Sequence, residues 1–287
     1  MIYKLIKMNK AIDIKLIEKN LIKNIKWIEE PFPHAVIDNF LPQDLFKQIS
    51  SKTNDITELK KAANYFQSHA ELKKKVFSMN ELNSKLKIPI EILGSKKICG
   101  IFKKYFKNFR ISSLLEQPAL GGYFPFHSMA DKGLLGSHVD HSHSNDNKLH
   151  VANAIYYVSP EWDSKWGGET ILFSNNGLKP LKYITPKPNR LVLFIHSSLS
   201  FHGVNLINCP APIKRNTYYM DYYLDNATVD KDSMSKFNKL RYFNHHTTFI
   251  PFFPLGVSSF RFKNIFEMNS LVYCYVLIRY LINKIFT

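Results

Sequence analysis

The sequence after Pro118 breaks into short apolar runs that are separated by glycine, proline, serine and asparagine. Runs of about 4–8 residues bounded by such turn residues are typical of β-strands, and several of them at regular spacing are typical of a sandwich or barrel. This half of the chain therefore predicts a β-sandwich or β-barrel. The predicted strands are 150–157, 170–173, 190–195, 202–207 and 216–223, and a strand-like run follows at 247–253.

The first 110 residues have a helical pattern instead. Apolar residues recur at helical spacing in 1–28 and, with interruptions, through most of 58–108, as expected for amphipathic helices that pack on a core. Between these segments a short strand is predicted at 34–38, and Pro42 is predicted to open another helix. The fold class predicted from the whole pattern is mainly β with flanking helices, or α+β.

The chain carries a large excess of basic residues, 39 Lys and Arg against 23 Asp and Glu, for a net charge of +16. Such a charge suits an anionic partner. The lysines are spread along a chain rich in Lys, Ile and Asn, however, and no arginine-rich helix or alternation of aromatic and basic residues is present. We therefore expect no nucleic-acid partner, and an AT-rich genome accounts for the composition.

The cysteines and the chain ends indicate a cytoplasmic protein. Cys99, Cys209 and Cys274 form no CxxC pair, and the first 24 residues lack the apolar core of a secretory signal. The apolar run 271–286 is shorter than the roughly 20 residues that a membrane span needs. It predicts a helix docked on the core, with a peripheral membrane or partner contact as the alternative. The oligomeric state cannot be predicted.

The strongest chemical signal is the pair His138 and Asp140, two residues apart. On a β-strand this spacing places both side chains on the same face. His202, at the start of a later predicted strand and followed by Gly203, is the best candidate for a third ligand. Two histidines and one carboxylate on one face of a metal are the arrangement of non-haem Fe(II) oxygenases. We therefore predict an Fe(II) site made of His138, Asp140 and His202.

Other histidines offer alternatives to this site. His141 and His143 could form a zinc cluster with His138, but alternation turns His141 to the opposite face and His143 falls in a predicted loop. His196 is the rival of His202 for the third position, although it ends one strand rather than beginning the next. His127 has a chance of facing the active cavity.

An oxygenase of this type also needs a source of electrons, and the commonest is a 2-oxo acid with a second carboxylate. Arg215 lies at the start of the predicted strand 216–223, and its planar guanidinium can hold a carboxylate through two parallel hydrogen bonds. Arg215 is therefore the predicted binding residue for that carboxylate. The alternative is a surface arginine without such a role.

Seven segments of the sequence, taken together in chain order, resemble the 2-oxoglutarate- and Fe(II)-dependent dioxygenases of the prolyl 4-hydroxylase-like superfamily. The resemblance covers roughly 31–223, and its many pieces make it specific. One departure is His150-Val151, where relatives often carry a basic pair before the strand. The segments are 31–42, 135–140, 153–162, 166–169, 188–190, 200–203 and 215–217.

The resemblance implies a double-stranded β-helix, or jelly roll, flanked by helices. It implies that His138, Asp140 and His202 bind Fe(II) and that Arg215 binds the distal carboxylate of 2-oxoglutarate. The implied reaction consumes O2, with ascorbate as an optional further cofactor, and decarboxylates 2-oxoglutarate to succinate and CO2 while the substrate is hydroxylated. The presence of Asp140 favours hydroxylation, because halogenating relatives lack that carboxylate.

The predicted domains are an N-terminal amphipathic helix at 1–30, a dioxygenase domain at 31–226 and a C-terminal extension with an apolar helix at 227–287. The dioxygenase domain has a helical part at 42–110 and a jelly-roll part at 118–226. Its substrate is unknown, with a prolyl or other protein side chain, a free amino acid, a glycan and a lipid-linked sugar as candidates. The alternative functions are a catalytically degenerate jelly-roll binding protein, a nucleic-acid-directed oxygenase and a zinc hydrolase.

Overall fold

Twelve strands form one curled sheet at the centre of the fold. The computed structural model describes residues 13–53, 63–64, 71–116, 123–144, 148–225 and 248–250, together with 278 and 281. The strands pair antiparallel throughout this described part. The predicted fold class, a jelly roll with flanking helices, is thus confirmed.

The strands are numbered in chain order, and the main path through the sheet is β1-β9-β6-β11-β5-β10-β7-β8. β3 and β12 also pair with β5, β2 pairs with β3, and β4 pairs with β11. The strands are β1 (His34–Ile37), β2 (Ala63–Asn64), β3 (Glu71–Phe77), β4 (Arg110–Ser113), β5 (Phe126–Val139), β6 (His150–Tyr157), β7 (Thr170–Phe173), β8 (Pro180–Ile184), β9 (Leu191–Ile195), β10 (His202–Val204), β11 (Arg215–Asp225) and β12 (Thr248–Phe249).

Three of the four α-helices in the described part begin at residues whose side chains cap free backbone N–H groups, and the helix at Gln43–Ser50 instead follows Pro42. Asp13 accepts a hydrogen bond from the backbone of Leu16 at 3.0 Å, and Asn83 and Ser95 cap later helices in the same way. The α-helices are α1 (Ile14–Asn24), α2 (Gln43–Ser50), α3 (Ser84–Leu93) and α4 (Lys96–Gly100). Short 3₁₀ helices lie at Met79–Glu81, Ile101–Lys104, Leu114–Glu116 and Ser164–Trp166.

The helices cover one face of the sheet, and the other face carries both apolar and polar side chains. Successive side chains of a strand point to opposite faces. In β6 and β11 one set of alternate residues packs with the helices in the largest apolar cluster, and the other set points into the curl of the sheet. The residues on the helix side are Ala152, Ala154, Tyr156, Tyr218, Met220 and Tyr222.

The segment 58–108 departs from its predicted helical pattern at β3, which is a strand. The lysines of β3 fit a helical face as well as a strand, so local pattern does not decide between them. Pairing with β5 does decide, because it satisfies the backbone groups of β3 along the register Glu71↔Leu135 to Phe77↔Phe126. β8 was also not predicted. It begins at Pro180 and pairs only with β7 among the described strands. Proline has no backbone N–H to donate, so it is tolerated at the start of such an edge strand.

Part of the predicted architecture lies outside the described residues. Of the C-terminal extension the structure describes only 248–250, which contain β12, and the helical positions 278 and 281. No helix in the described part of the chain is both long enough and apolar enough to cross a membrane. The domain boundaries, the role of 271–286 and the cytoplasmic location stay predictions.

Asn189 joins the front segment of the chain to the jelly roll. Its side-chain oxygen accepts hydrogen bonds from the Leu41 backbone and the Tyr156 hydroxyl, both at 2.9 Å, and its amide donates to the Leu41 carbonyl at 2.8 Å. The residue is buried and has a positive φ of 62°, a conformation that asparagine tolerates better than most residues. One side chain thereby satisfies three polar groups away from water.

We expect Asn189→Ala to lower the free energy of unfolding by about 3 kcal/mol, because it leaves buried polar groups without partners. Urea unfolding followed by circular dichroism measures the change. Asn176→Ala is the matched control, since Asn176 is exposed and also accepts hydrogen bonds from its own turn. A loss of equal size in both variants would contradict the role given to Asn189.

Candidate metal centre

The pairing of β5 with β10 brings His138, Asp140 and His202 together. His138 and His202 are direct partners in the register, and Asp140 follows the end of β5. Nε2 of His138 is 3.5 Å from Oδ1 of Asp140, and Nε2 of His202 is 3.4 Å from Oδ2. One potential ligand atom from each residue lies within 4.8 Å of the others, and all three residues are buried. The spacing and chemistry of these donors fit one transition-metal ion.

Backbone carbonyls fix the orientation of both histidine rings. Nδ1 of His138 lies 2.8 Å from the Gly136 carbonyl, and Nδ1 of His202 lies 3.0 Å from the Ser200 carbonyl. A carbonyl only accepts, so each Nδ1 carries the proton and each Nε2 keeps a lone pair. Burial, together with His138, lowers the pKa of His202 to about 4. His202 is therefore a neutral imidazole, and the Nδ1 contacts of both rings turn Nε2 towards Asp140.

Asp140 is a buried carboxylate with its own hydrogen-bond donors. The Tyr219 hydroxyl donates to Oδ2 at 2.6 Å, and the Asn153 amide approaches the same oxygen at 3.4 Å. Although burial opposes ionisation, His202 and His138 hold the pKa of Asp140 well below its ordinary value. Asp140 is thus an ionised carboxylate whose position is set before any metal binds.

Arg215 lies on the same inner side of the sheet, at the first residue of β11. Its Nε donates to the Gly168 carbonyl at 2.8 Å, and Nη2 donates to Thr170 Oγ1 at 3.0 Å and to the Tyr157 hydroxyl at 3.4 Å. The guanidinium also lies 5.0 Å from the centre of the Tyr157 ring. Hydrogen bonds and packing thus hold the side chain in one orientation.

The guanidinium of Arg215 is buried without an anionic partner. The residue is 3% exposed, and no carboxylate of the described residues forms an ion pair with it. Burial lowers the pKa of Arg215 from its usual value. A buried cation is costly unless it is paired. The carboxylate of Glu169 acts on this cation only from beyond ion-pair distance, so the carboxylate of a bound ligand would be its direct partner.

Gly168 makes room for this arginine. It has a positive φ of 72°, and a Cβ atom there would come within 2.9 Å of the Trp162 ring and 3.3 Å of Cδ of Arg215. Any larger residue would therefore displace Trp162 or Arg215.

Four further residues belong to the site but were not singled out in the sequence: Asn153, Tyr157, Thr170 and Tyr219. They lie on strands that were predicted, at alternate positions that face inward. That alternation is the signal that could have found them. Their contacts with Asp140 and Arg215 depend on the register between strands, which the sequence does not give.

His127 faces the site through Tyr219. The two rings stack with centroids 5.4 Å apart and planes 17° apart. Burial, and next Lys74, lower the pKa of His127 well below its ordinary value. His127 is therefore a neutral, partly buried ring that supports Tyr219.

The disfavoured alternative, a zinc cluster of His138, His141 and His143, is not among the candidate ligand groups of the described residues. Nδ1 of His143 instead lies 2.8 Å from the Ser142 hydroxyl. His141 lies on the far side of Asp140, where its potential ligand atom groups with those of His150 and Asp221.

This second group does not offer three free ligands. Nδ1 of His150 lies 2.8 Å from the His141 carbonyl, and Nε2 lies 3.1 Å from the Ala152 carbonyl and 3.4 Å from Asp221 Oδ1. Both ring nitrogens of His150 thus lie next to oxygen acceptors, which compete with a metal for them. The group acts as a buried polar network beside the candidate metal centre.

His196, the rival third ligand, stands apart from the three. Its ring stacks on His150 with centroids 4.2 Å apart, and its Nδ1 lies 3.4 Å from the Ser200 hydroxyl. It contributes no atom to the ligand group of His138 and Asp140. The structure therefore places His202, and not His196, opposite His138.

Sequence and fold both have known counterparts. Residues 124–220 match the sequence model of the 2OG-Fe(II) oxygenase superfamily. The fold is similar to that of a prolyl hydroxylase from Trichoplax adhaerens in complex with a hypoxia inducible factor oxygen degradation domain peptide fragment. The two chains are 16% identical with a TM-score of 0.50, over 80% of this chain and 98% of that one.

Two further solved structures are similar. A prolyl-4-hydroxylase from Pseudomonas putida is 13% identical, with a TM-score of 0.48 over 75% of this chain and 99% of its own. HygX from Streptomyces hygroscopicus, with nickel and 2-oxoglutarate bound, is 9% identical, with a TM-score of 0.46 over 75% of this chain and 92% of its own. No curated protein matches the chain.

We expect His202→Ala to weaken Mn(II) binding by at least about 100-fold, because it removes one of three nitrogen and oxygen ligands. Titration calorimetry on the metal-free protein measures the affinity, and Mn(II) avoids oxidation during the experiment. His196→Ala is the control and should bind Mn(II) like the wild type, with thermal melts showing that both variants fold. Retained binding in His202→Ala with loss in His196→Ala would reverse the assignment.

Proposed function

We propose that the protein is a dioxygenase that hydroxylates its substrate with O2 and 2-oxoglutarate, since residues 124–220 match the sequence model of the 2OG-Fe(II) oxygenase superfamily. Membership of this superfamily implies Fe(II) and 2-oxoglutarate as cofactor and co-substrate. The family resemblance predicted from the sequence is thereby confirmed. What we propose beyond the family is the role of each site residue and the hydroxylation of a substrate.

The observation that carries this proposal is the unpaired guanidinium of Arg215. A metal site alone would suit many enzymes. A buried cation without a direct counter-ion would in addition be stabilised by an anionic ligand. Thr170 and Tyr157 hold Arg215 by hydrogen bonds that leave Nη1 without a partner among the described residues. The distal carboxylate of 2-oxoglutarate is the anion that the superfamily would place there.

His138, Asp140 and His202 would hold the Fe(II). Their donor set, two neutral imidazoles and one carboxylate, leaves open positions on a metal for other ligands. When bound, Fe(II) and 2-oxoglutarate supply the oxidising chemistry: O2 and 2-oxoglutarate are converted to succinate and CO2, with one oxygen atom inserted into a C–H bond of the substrate. Ascorbate is a proposed reductant that maintains Fe(II).

Apolar side chains surround the candidate metal ligands and exclude water from them. The ring of Phe194 lies 4.9 Å from that of His202, and the ring of Phe249 lies 5.0 Å from that of His138. Leu172 is fully buried beside them. These apolar side chains limit water around the metal, which strengthens the electrostatic contacts of the site and protects reactive species from side reactions.

The substrate stays a proposal of class only: a prolyl or other protein side chain, or a glycan. The similar solved structures show a shared fold and no more, so they do not choose between these classes. A catalytically degenerate binding protein remains the alternative from another class, and it predicts no joint binding of metal and 2-oxoglutarate. The predicted lack of a nucleic-acid partner stays a prediction.

Anaerobic absorbance tests the proposed function. Metal-free protein is mixed with Fe(II) and then with 2-oxoglutarate, and we expect a weak visible charge-transfer band that saturates with 2-oxoglutarate. Succinate release in air is the second readout. Absence of the band in fully iron-loaded wild type would overturn the oxygenase proposal in favour of the degenerate binding protein.

Arg215→Met should weaken 2-oxoglutarate binding by about 100-fold, equivalent to about 3 kcal/mol, because a buried carboxylate would lose its charged partner. The band at saturating 2-oxoglutarate and the affinity for Mn(II) should remain. Lys214→Met, which removes the cation one position earlier, is the control and should titrate like the wild type. Equal weakening in both variants would point to net charge in place of a specific contact.

A further inference from the structure

The Tyr219 hydroxyl makes the shortest hydrogen bond that Asp140 receives from a neighbouring strand. It donates to Oδ2 at 2.6 Å. Oδ1 of Asp140 lies 3.5 Å from Nε2 of His138, whereas Oδ2 lies 3.4 Å from Nε2 of His202 in addition to accepting the Tyr219 hydrogen bond. The two oxygens of this carboxylate thus have different surroundings, although both lie close to the candidate metal position.

The direction of the Tyr219 hydrogen bond follows from its neighbours. The Asn153 amide nitrogen donates to the Tyr219 hydroxyl and also, at 2.9 Å, to Asp221 Oδ1. A flipped Asn153 would turn its oxygen towards the carboxylates of Asp140 and Asp221, which is repulsive. Since the hydroxyl oxygen of Tyr219 accepts from Asn153, its single proton is free for Asp140.

The ring of Tyr219 is held as firmly as its hydroxyl. It stacks on His127 and lies on β11, which pairs with β6 on one side and β5 on the other. The Tyr219 backbone pairs with that of Ile155 in β6. Asn153 lies on β6, Tyr219 lies on β11 and Asp140 follows the end of β5, so the pairing of β11 with β6 and β5 fixes their separation.

We infer that Tyr219 is a positioning residue that engages Oδ2 of Asp140 and leaves Oδ1 as the one oxygen this carboxylate offers to the metal. The inference rests on the proposed function. Each carboxylate oxygen that binds a metal occupies one coordination position. A second oxygen from Asp140 would compete for the positions that 2-oxoglutarate and O2 need. The Tyr219 hydrogen bond thereby keeps Oδ2 of Asp140 out of the coordination positions that 2-oxoglutarate and O2 would occupy.

The chain offers a closely matched control in the adjacent residue. Tyr218 is fully buried, and its hydroxyl has no hydrogen-bond partner in the described part of the chain. It points to the helices, opposite to Tyr219. Tyr218→Phe and Tyr219→Phe therefore remove the same atom from neighbouring residues, and only the second change touches Asp140.

The test separates metal binding from co-substrate binding. Calorimetry first measures Mn(II) binding to the metal-free protein and then 2-oxoglutarate binding to the Mn(II)-loaded protein. We expect Tyr219→Phe to bind Mn(II) as tightly as the wild type or more tightly, but to bind 2-oxoglutarate about 10-fold more weakly. Its anaerobic Fe(II)–2-oxoglutarate absorption maximum should also shift. Tyr218→Phe should match the wild type in all three measurements.

Asn153→Leu is the second variant, because it removes the donor that orients the Tyr219 hydroxyl. Asn153→Leu should also weaken 2-oxoglutarate binding, but by a smaller factor than Tyr219→Phe. If Tyr219→Phe does not fold, Asn153→Leu alone tests the inference. Wild-type behaviour of both Tyr219→Phe and Asn153→Leu would overturn the inference and leave the proposed function standing. Equal weakening of Mn(II) and 2-oxoglutarate would reduce Tyr219 to a structural role. Failure of the wild type to bind Mn(II) and 2-oxoglutarate would overturn both.

Discussion

The antiparallel pairing of β5 with β10 is the interaction on which the candidate site depends. It sets His138 directly opposite His202, although the two residues are far apart in the sequence. β5 is also the strand that pairs with β11, which carries Arg215. A shift of one residue in either ladder would turn a whole set of side chains to the other face, so the metal ligands and the arginine would separate. The site is therefore a consequence of strand register, and the same backbone hydrogen bonds that stabilise the sheet hold it in place.

Successive side chains of β6 and β11 point to opposite faces of the sheet, so each strand contributes both to the apolar core and to the candidate site. Tyr218 and Met220 pack with the helices in the apolar core, while Arg215 and Tyr219 point into the curl of the sheet. The helices are thus needed by the site even though they supply none of its ligands, since they bury the outer face and make the strands rigid. A catalytic group held on a rigid, doubly packed strand keeps its geometry better than one on a loop.

The sequence was sufficient for the parts of the site that each depend on one short segment. The spacing of His138 and Asp140 is visible because strand alternation has a period of two, and Arg215 stands out as a planar cation at the start of a strand. Tyr157, Thr170 and Tyr219 could not be found in the same way, because each matters only through a contact across strands. β3 was missed for a related reason: its lysine-rich sequence has no strong local preference, and its pairing with β5 decides its conformation.

The two halves of the site differ in how completely the protein satisfies them. In the metal half, backbone carbonyls hold both imidazoles and Tyr219 holds Asp140, so the ligands are organised without a metal. In the other half, Arg215 keeps a buried charge that no described residue pairs with. A ligand carboxylate at Arg215 therefore gains both its own contacts and relief of an existing desolvation penalty. Under the proposed function, the two halves therefore differ in what a ligand adds: the metal ligands are already oriented by the chain, whereas Arg215 gains a direct counter-ion only when a ligand carboxylate binds.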